Sequence, residues 1–303
     1  MQQSENNAGL PDYASHRAIL RRVTWGGLLL NLFLSVIKLF AGVAAGSHAL
    51  VADAVHSASD MGTDVAILLG ELWWSQPADK EHPYGHSQLE AFVTLFIGGV
   101  LVAAALGIGG NAIMAVVTGG YAVPGHWALP VALISMLIKE GMYRWTVAAG
   151  RRIDSAPLVA NAWHHRSDAL STLPVVLALG GTLLHPQLAF LDPLGGVVVC
   201  LFLLYAAYRI AWPALAKMLG AGAAEAVVRE IQKTAASHPA VREVHRVRTR
   251  YLGCSRIAVD LHVLVDGTIK VSTGHAISEQ VKASILARHP GVTDVVVHLE
   301  PYG

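Results

Sequence analysis

His56, Asp60 and Asp64 stand at i, i+4 and i+8 in the stretch HALVADAVHSASDMGTD, residues 48–64. On an α-helix each four-residue step turns about 400°, so the three share one stripe about 80° wide. Asp53 falls on the same stripe, ahead of His56. In NAWHHRSDALST, His164 and Asp168 repeat the His-x-x-x-Asp spacing. Two imidazoles and two carboxylates on facing helices are the ingredients of a four-coordinate transition-metal site. One such pair alone reads equally well as a structural hydrogen bond along its helix. The same spacing on two apolar stretches, where ionisable side chains are costly, favours His56, Asp60, His164 and Asp168 as ligands. Asp53 and Asp64 read as supporting groups, and His165, about 100° round from His164, faces elsewhere.

Two further constellations carry the same donor types. The loop SQPADKEHPYGHSQLE, residues 75–90, contains Asp79, His82 and His86, with Glu90 further on. Pro83 and Gly85 favour a turn that folds the two histidines together. Taken alone, so short a motif reads more simply as a solvated polar loop. Near the C-terminus, His245, His262, His298 and Glu300 fall on three expected strands, and His275 on an expected helix. His298 and Glu300 are i, i+2 and share a sheet face. These side chains either converge on a metal or are ordinary surface residues, and spacing leaves both readings open. His289 precedes Pro290 and reads as a helix-end residue, while His48, His126 and His185 lie at the ends of apolar runs. Cys254 is a minor additional candidate. Cys200 reads as core- or lipid-facing. Two cysteines without a CxxC give neither a zinc ribbon nor a disulfide framework.

The elements that must position these groups are membrane spans followed by a small mixed domain. Of 303 residues, 53% are hydrophobic and 14% charged, well below the roughly 25% charged of a soluble domain. Mean hydropathy is +0.47. A net charge of +1 gives no global field for nucleic acid. Residues 1–22 read as a polar tail without a cleavable signal pattern. Apolar runs of spanning length, about 20 residues, occur near 23–45, 50–74, 89–118, 127–149, 157–184 and 193–216. The second carries Asp53, His56, Asp60, Asp64 and Glu71, enough to escape a strict hydropathy scan. Arg17, Arg21, Arg22, Lys80, Arg151 and Arg152 lie in alternate connectors, which puts both termini in the cytosol by the positive-inside rule.

A membrane-spanning bundle is therefore expected over 23–217 and a second domain over 218–303, with 220–223 as hinge. The second domain alternates as α-β-β-α-β. Its second helix is expected to be capped by Ser272 or Thr273.

The motifs ADAVHSASD at 52–60, PADKEHPYGH at 77–86, AWHHRSD at 162–168 and DPLGG at 192–196, with the histidine-bearing C-terminal domain, resemble the cation diffusion facilitator family. These are proton-coupled exporters of zinc and other divalent transition metals. The resemblance covers about 20–303. It implies six spans, a homodimer and a cytoplasmic metallochaperone-like domain of ferredoxin-like type. It makes His56, Asp60, His164 and Asp168 the transport site, and Asp79, His82 and His86 a loop site. His245, His262, His275, His298 and Glu300 become ligands of ions bridging two cytoplasmic domains. The chain departs from the best-known bacterial pattern at His56, where many members have Asp. It also has Gln88 and Gly220–Gly222 where that pattern has a charged interlock.

The resulting expectation is a divalent-metal/proton antiporter of the inner or plasma membrane that exports Zn²⁺ or a similar ion from the cytosol. Zn²⁺, Co²⁺, Fe²⁺, Ni²⁺ and Cd²⁺ suit two imidazoles better than Mn²⁺ does. Two rival classes are a membrane metal sensor or scaffold that binds without transporting, and a membrane metallohydrolase. The hydrolase would need an open coordination position and a motif such as His-Glu-x-x-His, which the chain lacks.

Overall fold

A computed structural model describes residues 13–153 and 155–302; side chains at 13–18, 20, 63, 64, 66–69, 71, 72, 156, 157 and 160 lie outside the described set. Asp64 and Glu71 are thus not described as side chains. The chain divides into two compact units, Met1–Asp64 with Val100–Ala207, and Val65–Gly99 with Tyr208–Gly303.

The helices are α1 (Tyr13–Ala45), α2 (His48–Trp74), α3 (Gln88–Thr118), α4 (Ala128–Arg152), α5 (Ala156–Ser171), α6 (Leu173–Leu184) and α7 (Leu191–Met218). Helix α1 starts ahead of the expected span at 23, so the part of the polar tail at 13–22 is helical. Among the described residues, four stretches are long and apolar enough to cross a membrane: Arg21–Ala45, Gln88–Thr118, Asn161–Leu184 and Pro186–Met218. Helices α2 and α4 are of spanning length, 27 and 25 residues, but carry too many ionisable side chains to register by composition.

The expected span 157–184 is two helices that meet at Thr172. Pro174 explains the break. It has no N–H for the helical ladder and its ring crowds the carbonyl one turn back. Ser155 caps α5 by accepting the Leu158 N–H. In the first unit α4 packs on both α5 and α1. Phe40, Val117 and Leu184 turn apolar side chains outward, as lipid-facing residues do. Asp192 at the start of α7 accepts the Ser47 hydroxyl at 2.6 Å and the His48 N–H at 2.7 Å, which ties α7 to the N-terminus of α2.

In the second unit, α7 ends in a Schellman turn. Gly220 has φ +88°, its N–H bonds to Lys217 O, and the Ala221 N–H bonds to Ala216 O. Then follow α8 (Glu225–Ala236), β1 (Glu243–Leu252), β2 (Arg256–Asp266), α9 (Val271–Arg288) and β3 (Val292–Tyr302). The α-β-β-α-β order is the expected one. The sheet order is β1-β2-β3, antiparallel between β1 and β2 and parallel between β2 and β3. A parallel pair needs a crossover, and α9 supplies it. Ile257, Val259, Leu261, Val263 and Val265 alternate along β2 onto the face packed by Ile231, Ile277, Val281 and Ile285 of the helices. The opposite face keeps its polar residues.

Neither Ser272 nor Thr273 caps α9. The helix starts at Val271 with Lys270 at the N-cap and no side-chain cap bond. Asp266 accepts the Thr268 N–H and hydroxyl in a tight turn, and the backbone reaches helical geometry before Ser272.

Candidate metal centres

The transport-type cluster forms within the first unit. His56 and Asp60 project from α2 and Asp168 from α5, and one ligand atom of each lies within 4.8 Å of the others. The His56 Nε2–Asp60 Oδ2 distance is 3.9 Å. His56 Nδ1 and Asp60 Oδ2 are buried without a hydrogen-bond partner among the described residues. Buried lone pairs of this kind are costly unless something binds them, and a hard or borderline cation fits a donor set of imidazole and carboxylates. His164, the fourth expected member, lies outside the cluster. Its Nδ1 is 3.8 Å from Asp168 Oδ1, and its side chain is 45% exposed. His165 is buried, its Nε2 lies beside Gly27, and it is not part of the three-residue group.

Asp53 is not among the ligands. Its Oδ2 lies 2.7 Å from the Lys38 ammonium, and its Oδ1 accepts the Thr172 hydroxyl at 3.1 Å. Lys139 lies 3.1 Å from Asp168 Oδ2. Both lysine side chains are essentially inaccessible, at 0% and 1% exposure. The Ser57 hydroxyl bridges them, at 3.3 Å from Lys38 and 3.1 Å from Lys139. Metal-ligand spacing does not single out these two lysines. The signal was present: VIKLFAG and SMLIKEGMY each place an ammonium inside an apolar run, where a charge requires a partner.

Asp79, His82 and His86 form a cluster in the second unit. Asp79 Oδ1 is 3.4 Å from His82 Nδ1, Asp79 Oδ2 is 3.5 Å from His86 Nε2, and the two rings lie 4.3 Å apart. The turn is set by Asp79, which accepts the N–H groups of Glu81 and His82 at 2.9 and 2.6 Å, and by Gly85 at φ +80°. Those two N–H donors, His82 foremost, hold the Asp79 carboxyl below the usual carboxylate range. Glu90 is not part of this group; its carboxylate accepts the Cys254 N–H at 3.0 Å.

The C-terminal histidines form a row. His245 pairs with His262, and His262 with His298, in the registers of the three strands. One ligand atom each of His245, His262 and Glu300 lies within 4.8 Å of the others. Glu300 is the hub, at 3.0 Å from His245, 2.7 Å from His262 and 3.7 Å from His298. The His262 hydrogen bond, followed by the nearby imidazoles, holds its carboxyl below the usual range. A bulge after His245, with Arg246 at φ +48°, re-aims β1 beside this row. His298 stands at the rim, outside the three-residue group, and His275 is exposed on α9 and also outside it. Cys254 joins no metal-ligand group among the described residues, and burial pushes its thiol up, away from the thiolate a metal needs.

Known proteins match this arrangement over nearly the whole chain. A family model described as the cation efflux transmembrane domain matches residues 25–219, and one described as the cation efflux protein cytoplasmic domain matches 223–302. Metal tolerance protein C1 of Arabidopsis thaliana is 35% identical over 91% of this chain, which spans 61% of that protein's length. The manganese efflux system protein MneP of Bacillus subtilis is 27% identical, covering 94% of this chain and 97% of its own. The cation-efflux pump FieF of Escherichia coli is 29% identical, covering 95% and 94%. The chain belongs to the cation diffusion facilitator family, whose members are multi-pass membrane transporters of divalent metal cations and not enzymes.

Proposed function

We propose that this protein is a divalent-metal/proton antiporter that exports Zn²⁺, or a later transition metal of similar chemistry, from the cytosol. The observation that carries the reading is the convergence of His56, Asp60 and Asp168 inside apolar helices with orphaned lone pairs. His164 completes the set by a rotation of its side chain, already within 3.8 Å of Asp168. Four donors, two nitrogen and two oxygen, suit a tetrahedral ion.

Metal and protons compete for the same lone pairs, so binding from the cytosol releases protons. In the outward-facing state, protons reload the site and expel the metal. The proton gradient drives the cycle through two conformations with different affinities. Both termini face the cytosol, with Arg151 and Arg152 at the end of α4 marking that side. The loop group Asp79, His82, His86 and the C-terminal group around Glu300 bind metal from the cytosol, the latter in a homodimer.

The test is metal-dependent proton flux in sealed proteoliposomes. Wild type should show coupled flux, while Asp60→Ala and Asp168→Ala should abolish it and still insert, since each removes a carboxylate from a spanning helix. Normal flux in both variants refutes the site. Metal binding without any flux in the wild type would favour a sensor or scaffold.

A further inference from the structure

Beside the cluster sit two buried ammonium groups that the ligand set does not use. Lys38 is already matched: Asp53 lies at 2.7 Å and Thr172 at 3.5 Å. Lys139 is different, because its carboxylate partner is Asp168, which is also a member of the metal-ligand group. Its Nζ donates to Asp168 Oδ2 and to Ser57 Oγ, both at 3.1 Å. Asp168 Oδ1 is the oxygen on the His164 side, at 3.8 Å. Solvent cannot take over the compensation, since Lys139 is 1% exposed and Asp168 5%.

We propose that Lys139 is the resident counter-cation of the metal-free site, a positioning residue that keeps one oxygen of Asp168 for itself and leaves the other to the metal. Two consequences follow from charge and geometry. A site whose divalent ion has been exchanged for protons on its other ligands still holds the Asp168 carboxylate in a buried place, and uncompensated it would resist the conformational return. Lys139 supplies a fixed positive charge there, anchored by Ser57, so the emptied carrier resets. The same charge opposes the incoming ion and moderates its affinity. With one oxygen retained by the ammonium, Asp168 serves as a one-oxygen ligand, which suits a small tetrahedral ion over a larger one that seeks more oxygen donors.

The inference rests on the reading of His56, Asp60 and Asp168 as the transport site. The experiment therefore includes Asp60→Asn as a control. Initial rates of Zn²⁺ and Cd²⁺ flux are measured in proteoliposomes of the full chain. In Lys139→Met, the apparent KM for Zn²⁺ should fall about tenfold or more, because a unit charge within a few ångströms is removed from a buried site. Vmax should fall with it, and Cd²⁺ flux should rise relative to Zn²⁺. Lys139→Gln should behave the same way. Lys139→Arg keeps the charge and can hold both oxygens of Asp168, so its KM should equal or exceed that of wild type.

A residue that merely packs would lower Vmax in all three variants without this ordered split in KM. Should the neutral variants fail to assemble, an Arg variant whose KM drops still overturns the proposal. An unchanged KM in the Met and Gln variants, with flux abolished by Asp60→Asn, overturns the role of Lys139 alone. Normal flux in Asp60→Asn overturns the underlying site instead.

Discussion

Lys38 and Asp53 meet at 2.7 Å with neither side chain more than 1% exposed. Removing one member of such a pair leaves a bare buried charge and costs about 3–5 kcal/mol, whereas removing both is far cheaper. Lys38→Met should therefore destabilise the protein strongly, and Lys38→Met with Asp53→Asn should recover most of the loss. Thermal unfolding in detergent across the double-mutant cycle checks this. Additive losses would mean the two groups do not interact. His56 carries a second residue-level expectation. His56→Asp replaces a nitrogen donor by an oxygen donor and adds negative charge, so Mn²⁺ or Cd²⁺ flux should rise relative to Zn²⁺. Competitive flux of paired metals measures it, and an unchanged ratio removes His56 from the ligand set. At this scale the sequence spoke through repeated spacing. His56, Asp60 and Asp168 were legible because a helix converts i, i+4 into one face. The exposed orientation of His164 was not, since a rotamer depends on neighbours rather than on spacing.

The turn between β1 and β2 is the element most tightly specified by a single backbone requirement. Gly253 has φ +81°, and a Cβ built there would collide with Ser87 O. On either side, Lys217 donates to Cys254 O and Glu90 accepts the Cys254 N–H. Gln88 adds a further polar contact, donating to Tyr251 O at 3.5 Å. Gly253→Ala should thus destabilise the second unit by well over the about 1 kcal/mol typical of a surface glycine in a permissive position, because strain and collision add. Hydrogen exchange of the β1–β2 turn reads this out directly; unchanged protection would contradict it. The spans show why element boundaries were only partly legible. Hydropathy alone finds four among the described residues, because α2 and α4 carry several ionisable side chains. The break at Thr172 required Pro174 to be weighed as a helix stop. The cap of α9 was misplaced because the Asp266 turn, not a helix-facing hydroxyl, starts it.

At the scale of the whole molecule, a metal transporter gains regulation if cytosolic metal favours one assembled form. The histidine row of the sheet would supply the means, with Glu300 within 3.7 Å of all three imidazoles. A metal held there by two copies would stabilise the dimer by mass action, because it binds the assembled form better than the separate chains. Glu300→Gln should then weaken metal-induced association of the full chain more than His298→Ala, since His298 stands at the rim. Zinc flux should persist in both. The pH dependence follows from the direction of the Glu300 shift. A carboxyl held below its ordinary range contributes stability that is fully present above about pH 4.3, its usual value, and is lost only as pH falls through the depressed folded value. Between pH 8 and 5 Glu300 therefore stays ionised and keeps its oxygens available to a metal. Glu300→Gln should accordingly lower metal-induced association at every pH from 8 to 5. Analytical ultracentrifugation of the full chain with and without Zn²⁺ across that range separates the outcomes. Equal association of wild type and Glu300→Gln across that range would remove Glu300 from the ligand set.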